Sequence, residues 1–213
     1  MRPEAEPIAL KSEIVLAFDT SAAHCAAALL YGDRVWLKSE SMEKGQAERL
    51  MPLVCELLAE AGVALGEVTA VAVGTGPGNF TGVRISVAAA RGLALGLGVP
   101  AIGVTRLEAM AYGLPRPVTV IEDARRGEVY VQRFDAGGPG AARIVAGDAV
   151  GVIDGAVAGV GGLQSLPIAE AIARIALGRV GVVQPRPAPF YLRGADAAPP
   201  SDPPPVILDL VAP

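Results

Sequence analysis

Residues 70–86, AVAVGTGPGNFTGVRIS, run a Val-rich strand into a turn holding Gly74, Gly76 and Gly78, and then into a segment with helical spacing. A buried strand that turns straight into a helix belongs to a layered α/β structure, because the helix must lie back across its sheet. The glycines permit close backbone approach. A helix N-terminus behind them presents unpaired N–H groups suited to a phosphate, and Asn79 and Thr81 add side-chain donors. Two phosphate motifs nevertheless fail: Val83 follows Gly82 where a P-loop requires lysine, and Asn79 stands where the dinucleotide pattern requires its third glycine. A phosphate cradle and a structural turn both remain open readings.

Around this unit the elements alternate. EIVLAFD, CAAALLY and RVWLKSES read as three strands of a meander, the last two joined by Gly32-Asp33. From Ala47 to Ala61 the residues Leu50, Leu53, Val54, Leu57 and Leu58 recur at helical steps. Pro52 starts that helix near Met51 or kinks it. A long helix from Gly82 to Leu97, capped by Thr81, is followed by a brief strand and helix in VPAIGVTRLEAMAYG. The theme then reopens with PVTVIEDARRGEVYVQRFD, a strand AVAGVGG and a helix PIAEAIARIAL. Each half opens with an apolar strand ending in an acid, Asp19 and Asp123. The expected organisation is an N-terminal extension (1–12), a first lobe (13–104), a shorter second lobe (105–193) and a proline-rich tail (194–213), with Phe190, Tyr191 and Leu192 docking.

His24 is the only histidine in 213 residues, which removes a histidine pair for zinc, and neither a Ser-His-Asp nor a Cys-His arrangement is expected around it. No catalytic constellation and no metal site is expected. The net charge of −4 argues against a chain that grips nucleic acid alone. Cys25 and Cys55 read as buried thiols, the start lacks a secretory pattern, and Arg84 and Arg91 interrupt the longest apolar stretch. A soluble cytoplasmic protein with no membrane association is expected.

Asp19, Thr20 and Ser21 suit a metal-bound phosphate or a self-satisfied turn. Glu122 and Asp123 offer a second carboxylate, and Gly161 within GVGG (159–162) would admit a flat purine. This set resembles the nucleotide cleft of actin-like kinases and ATPases. Along the long helix Ala88, Gly92 and Gly96 form a seam without bulk, readable as internal packing or as a partner surface.

LAFDTS, the stretch from GTGPGNFTGVRIS through VTRLEAMA, EDARRGEVYV and PFYLR together resemble the bacterial TsaB family, also called YeaZ. Asn79 replaces that family's usual serine. The resemblance implies a two-lobed actin-like (ASKHA, ribonuclease H-like) fold with mixed sheets flanked by helices. It also implies a non-catalytic role in making threonylcarbamoyladenosine beside the anticodon of transfer RNA. The implied partners are the catalytic paralogue TsaD and the ATPase TsaE, with tRNA engaged only through the complex and a homodimer through the same surface when alone. The paralogue's metal-binding histidines align with Arg106 and Met110 here, and neither can replace them. On this reading Asp19, Thr20, Ser21, Gly76, Gly78, Asn79, Thr81, Asp123 and Gly161 are a vestigial nucleotide or phosphate site, and no cofactor is required beyond weak ATP or ADP binding at the partner interface. The partner surface would be Leu50, Leu53 and Leu57 with Arg84, Ala88, Arg91, Gly92 and Gly96. A small-molecule kinase or ATPase is the alternative, and a peptidase is least favoured.

Overall fold

The computed structural model describes residues 13–163 and 165–193. In chain order the elements are β1 (Ile14–Asp19), β2 (His24–Tyr31), β3 (Arg34–Ser41), α1 (Gln46–Ala61), β4 (Ala70–Gly74), α2 (Phe80–Leu97), β5 (Ala101–Val104) and α3 (Arg106–Met110). They continue with β6 (Val118–Arg125), β7 (Glu128–Asp135), β8 (Gly138–Pro139), β9 (Arg143–Ala146), β10 (Ala156–Gly159) and α4 (Ile168–Leu177). The first sheet has the order β3-β2-β1-β4-β5, with β1, β4 and β5 parallel and the hairpin strands antiparallel. The second runs β10-β6-β7-β8, with β9 also on β7 and β10 parallel to β6. This is the expected two-sheet, mixed α/β architecture.

β1 reads as an unbroken apolar run because it is covered on both faces. Leu16 and Phe18 join the cluster beneath α1 and α2, while Val15 and Ala17 face the opposite way. That second face is paved with Ala26, Ala28, Ala70 and Ala72, and α4 lies on it through Ala169, Ile172, Ala173 and Ala176. Small side chains on both sides let helix and sheet approach closely. The division at residue 104 therefore follows the sheets but not the helices, since α4 belongs by sequence to the second half and packs on the first sheet. Leu107, Val118, Val120, Tyr130, Phe134 and Ala158 form a separate core for the second lobe.

Several expectations are corrected. Leu50, Leu53 and Leu57 are at most 1% exposed and form the core under α1, so they offer no partner surface. Large aliphatic side chains gain most by leaving water, and the sheet is the nearest apolar face. α1 begins at Gln46 and carries Pro52 on its exposed side instead of starting beside it. Asn79, not Thr81, caps α2. Cys25 is buried but Cys55 is exposed, and both thiols are free. Burial pushes the Cys25 thiol up to about 11. β8 and β9 fall in a Gly- and Ala-rich stretch with no readable alternation. α2 is long and apolar enough to span a bilayer by length and a mean hydropathy of 1.3, and a third of it is buried in the fold.

Candidate functional site between the lobes

Parallel pairing of β1 with β4, in register at Phe18 and Val73, brings Asp19 and the glycine turn to the same carboxyl-terminal edge of the sheet. Such edges are where open α/β sheets hold ligands. The Asp19 side chain is wholly buried. Its Oδ1 accepts from the Ser21 backbone N–H at 3.0 Å and from His24 Nε2 at 2.8 Å, and the Ser21 hydroxyl lies 2.9 Å from both carboxylate oxygens. Arg106 Nη1 stands 3.8 Å from the same Oδ1. Burial by itself would raise the Asp19 pKa; the His24 hydrogen bond, the Arg106 and His24 charges and the Ser21 hydroxyl outweigh it and hold the group below the usual carboxylate range.

Arg106 ties the lobes together. Its backbone N–H donates to the Gly76 carbonyl at 2.7 Å, and its Nε and Nη2 donate to Glu122 Oε1 of β6 at 3.0 and 2.8 Å. Arg106 Nη1 is buried and makes no hydrogen bond among the described residues. A guanidinium thus occupies the space between the first-lobe and second-lobe carboxylates. The Met110 methyl, at the end of the same short helix, packs toward Gly159. Among the described residues no group of three or more His, Cys, Asp and Glu side chains gathers in a metal-binding arrangement.

The glycine turn is closed from within. Asn79 Oδ1 accepts from the Thr81 and Gly82 N–H groups at 3.0 Å each. The Asn79 N–H donates to the Ser21 carbonyl at 2.6 Å, and the Thr20 hydroxyl donates to the Gly82 carbonyl at 2.6 Å. The Asn79, Thr81 and Gly82 N–H groups at the head of α2 are therefore committed. A Cβ on Gly74 would overlap the Asp19 carboxylate, and one on Gly78 or Gly82 would overlap the Ser21 or Thr20 carbonyl. These glycines serve the clasp between two turns, as the structural reading of the motif requires.

Beyond the clasp lies a cleft of about 690 Å³, lined among others by Ser21, Gly78, Asn79, Arg106 and Asp123. A second cavity of about 570 Å³ reaches Gly159 and Val160. Arg106 and Glu122 line both, so the phosphate and purine ends of the expected nucleotide cleft are two spaces meeting at an ion pair. Gly161 lines neither and has open space around it. Asp123 is exposed, and its Oδ1 accepts from the Arg125 N–H at 2.8 Å.

Sequence reasoning missed the cleft's rim. Arg125 and Arg126 both take positive φ, 62° and 56°, ahead of Gly127 at 74°. Non-glycine residues held there are strained, and such strain gathers at functional sites. Phe80 and Tyr191 stack with centroids 5.1 Å apart. Arg84 lies 3.7 Å over the Phe80 ring and donates to the Tyr191 hydroxyl at 2.9 Å. The RRG of EDARRGEVYV was the available signal for the turn; nothing local joins Phe80 to Tyr191. The docking expected of PFYLR is observed, with the Phe190 N–H donating to the Thr75 carbonyl at 2.8 Å.

Of the residues expected at a partner surface, Arg84, Ala88, Gly92 and Gly96 are exposed and Arg91 is half-buried. A Cβ on Gly92 or Gly96 would meet nothing within 4 Å, so the seam faces outward and not into the chain. Leu95 beside it is 80% exposed.

Residues 40–197 match the family described as TsaD, tRNA N6-adenosine threonylcarbamoyltransferase. The tRNA threonylcarbamoyladenosine biosynthesis protein TsaB of Escherichia coli is 41% identical over 121 residues, covering 54% of this chain and 52% of that protein. The chain thus spans about half the length of the curated TsaB relatives it matches. An uncharacterised protein of Mycobacterium tuberculosis is 36% identical over 207 residues, covering 87% of this chain and 94% of that one. The solved structure of YeaZ from Pseudomonas aeruginosa is 33% identical with a TM-score of 0.70, covering 84% of this chain and all of that one. A match of this extent to YeaZ, together with the identity to TsaB relatives, places the chain in the TsaB (YeaZ) family.

Proposed function

We propose that the chain is a non-catalytic subunit in the biosynthesis of threonylcarbamoyladenosine on transfer RNA, docking onto a catalytic TsaD paralogue and stabilising its active form. The observation that supports this best is the Arg106 bridge. The carboxylate that a phosphoryl-transfer site would keep for a metal is buried and neutralised by arginine and histidine. Docking is assigned to the outward face of α2, where Ala88, Gly92 and Gly96 let a partner helix approach without side chains between the backbones, and Leu95 flanks the contact. A TsaE ATPase joins the assembly, the setting is cytoplasmic, and the free chain pairs with a second copy through the same face. The chain needs no cofactor of its own, and ATP or ADP binds weakly where partners meet.

The test is incorporation of labelled threonine into tRNA by purified partners with ATP and bicarbonate, with the chain present or omitted. Incorporation should require it, and full incorporation in its absence overturns the reading. Gly92→Leu should abolish binding to the paralogue and leave the melting temperature unchanged; unchanged affinity would remove α2 from the interface.

A small-molecule kinase or ATPase is the second reading, favoured by the size of the cleft, which suits a small-molecule ligand. It requires magnesium-dependent ATP turnover that Asp19→Ala abolishes. A peptidase has no support in the geometry. The Asp19 carboxylate stands between the Ser21 hydroxyl and the His24 ring, whereas a catalytic histidine must stand between carboxylate and hydroxyl.

A further inference from the structure

The interlobe cleft brings aromatic rings and guanidinium groups together. Of nine aromatic residues, Phe80, Tyr130, Phe190 and Tyr191 line it. Four arginines and two carboxylates line it, and two of the arginines also face carboxylates behind the lining, Arg106 facing Asp19 and Arg193 facing Glu128. Glu122 is already taken by Arg106, and the Arg193 guanidinium by Glu128 and the Ala124 carbonyl. The Arg125 guanidinium has no partner among the described residues, and its backbone is held at positive φ to present it. Phe80 and Tyr191, 46% and 41% exposed, stand at the rim as an aromatic pair.

We infer that this cleft binds a single-stranded RNA segment, with a base stacked at the Phe80–Tyr191 pair and the phosphodiester backbone running past Arg125. Sequence-tolerant single-strand sites combine these two elements, aromatic platforms and cationic contacts to the backbone. A free nucleoside triphosphate is disfavoured, because the Thr81 and Gly82 N–H groups at the start of α2 are spent on Asn79. The inference goes beyond the scaffold reading, in which RNA is reached through a partner; only the choice of RNA over DNA rests on it.

The test is fluorescence anisotropy of a labelled RNA ten-mer of mixed sequence titrated with the full chain, with unlabelled ATP as competitor. Saturable binding is expected, weakening between about 50 and about 200 mM salt. Tyr191→Ala and Arg125→Gly should each weaken it about tenfold. Arg125→Gly removes the guanidinium while relieving the positive φ, so a loss of binding with unchanged or raised stability cannot be misfolding. No binding, or binding indifferent to both variants, overturns the inference; displacement of the RNA by ATP reassigns the cleft to a free nucleotide. Failure here with chain-dependent threonine incorporation intact leaves the scaffold reading standing, and RNA binding without incorporation does the reverse.

Discussion

Asp19 and Asp123 occupy matching places, each ending the apolar strand that opens its lobe, yet their surroundings are opposite. Asp19 is wholly buried and held by Ser21, His24 and the charge of Arg106. Asp123 is exposed and accepts from the Arg125 N–H, in the turn where Arg125 and Arg126 take positive φ. The first lobe fills the end of its strand with its own side chains, whereas the turn after the second lobe's strand lines the cleft.

The largest expected effect separates the two acids. Asp19→Ala leaves the Arg106 guanidinium buried against Glu122 alone and should cost about 3–5 kcal/mol, the range for breaking a buried pair. Asp123→Ala removes one solvent-exposed hydrogen bond and should cost about 1 kcal/mol or less. Urea denaturation of both variants measures the difference, and equal losses would break the comparison.

Acid should act through the same contrast. The folded Asp19 pKa lies below the unfolded value of about 4. Its contribution to stability is therefore fully present above that unfolded value and is lost as pH falls through the lower folded value. Melting temperatures between pH 6 and pH 2 should drop along this limb, and Asp19→Asn should flatten it. An unaltered acid limb in Asp19→Asn would mean that other carboxylates control it.

The smallest effects differ in sign. Asn79→Ala removes the α2 cap and should cost about 1 kcal/mol. Arg125→Gly, in the open turn, should stabilise by up to about 1 kcal/mol, because glycine tolerates the positive φ that arginine resists. Thermal melts of the two variants moving in the same direction would contradict the view of one turn as optimised for the fold and the other as strained for a ligand.

Much of the architecture was legible because burial imposes local periods. The apolar run of β1, the hairpin at Gly32-Asp33 and the helical stripes of α1 and α2 were readable from spacing alone. Their destinations were not. The Leu50, Leu53 and Leu57 stripe and the Ala88, Gly92 and Gly96 seam both repeat at helical steps. The sheet takes the bulky stripe, and water faces the small one. β8 and β9 escaped notice because short strands in a Gly- and Ala-rich segment owe their pairing to β7 and not to any pattern of their own. Asn79 was weighed as a phosphate donor before its carbonyl oxygen was seen to cap α2.

By itself the sequence determined the element order, the absence of a second histidine and the failure of both phosphate motifs, since these depend on residue identity and near neighbours. Only the tertiary structure decided what Arg106 does. At residue 106 an arginine reads as a missing metal ligand. Its role as the cation between two lobes exists only once β1, β4 and β6 bring Asp19, Gly76 and Glu122 within reach. The same holds for Phe80 and Tyr191, separated along the chain and stacked in the fold. Charge pairing and ring stacking act over a few ångströms of space, whatever the distance along the chain, and folding sets that proximity.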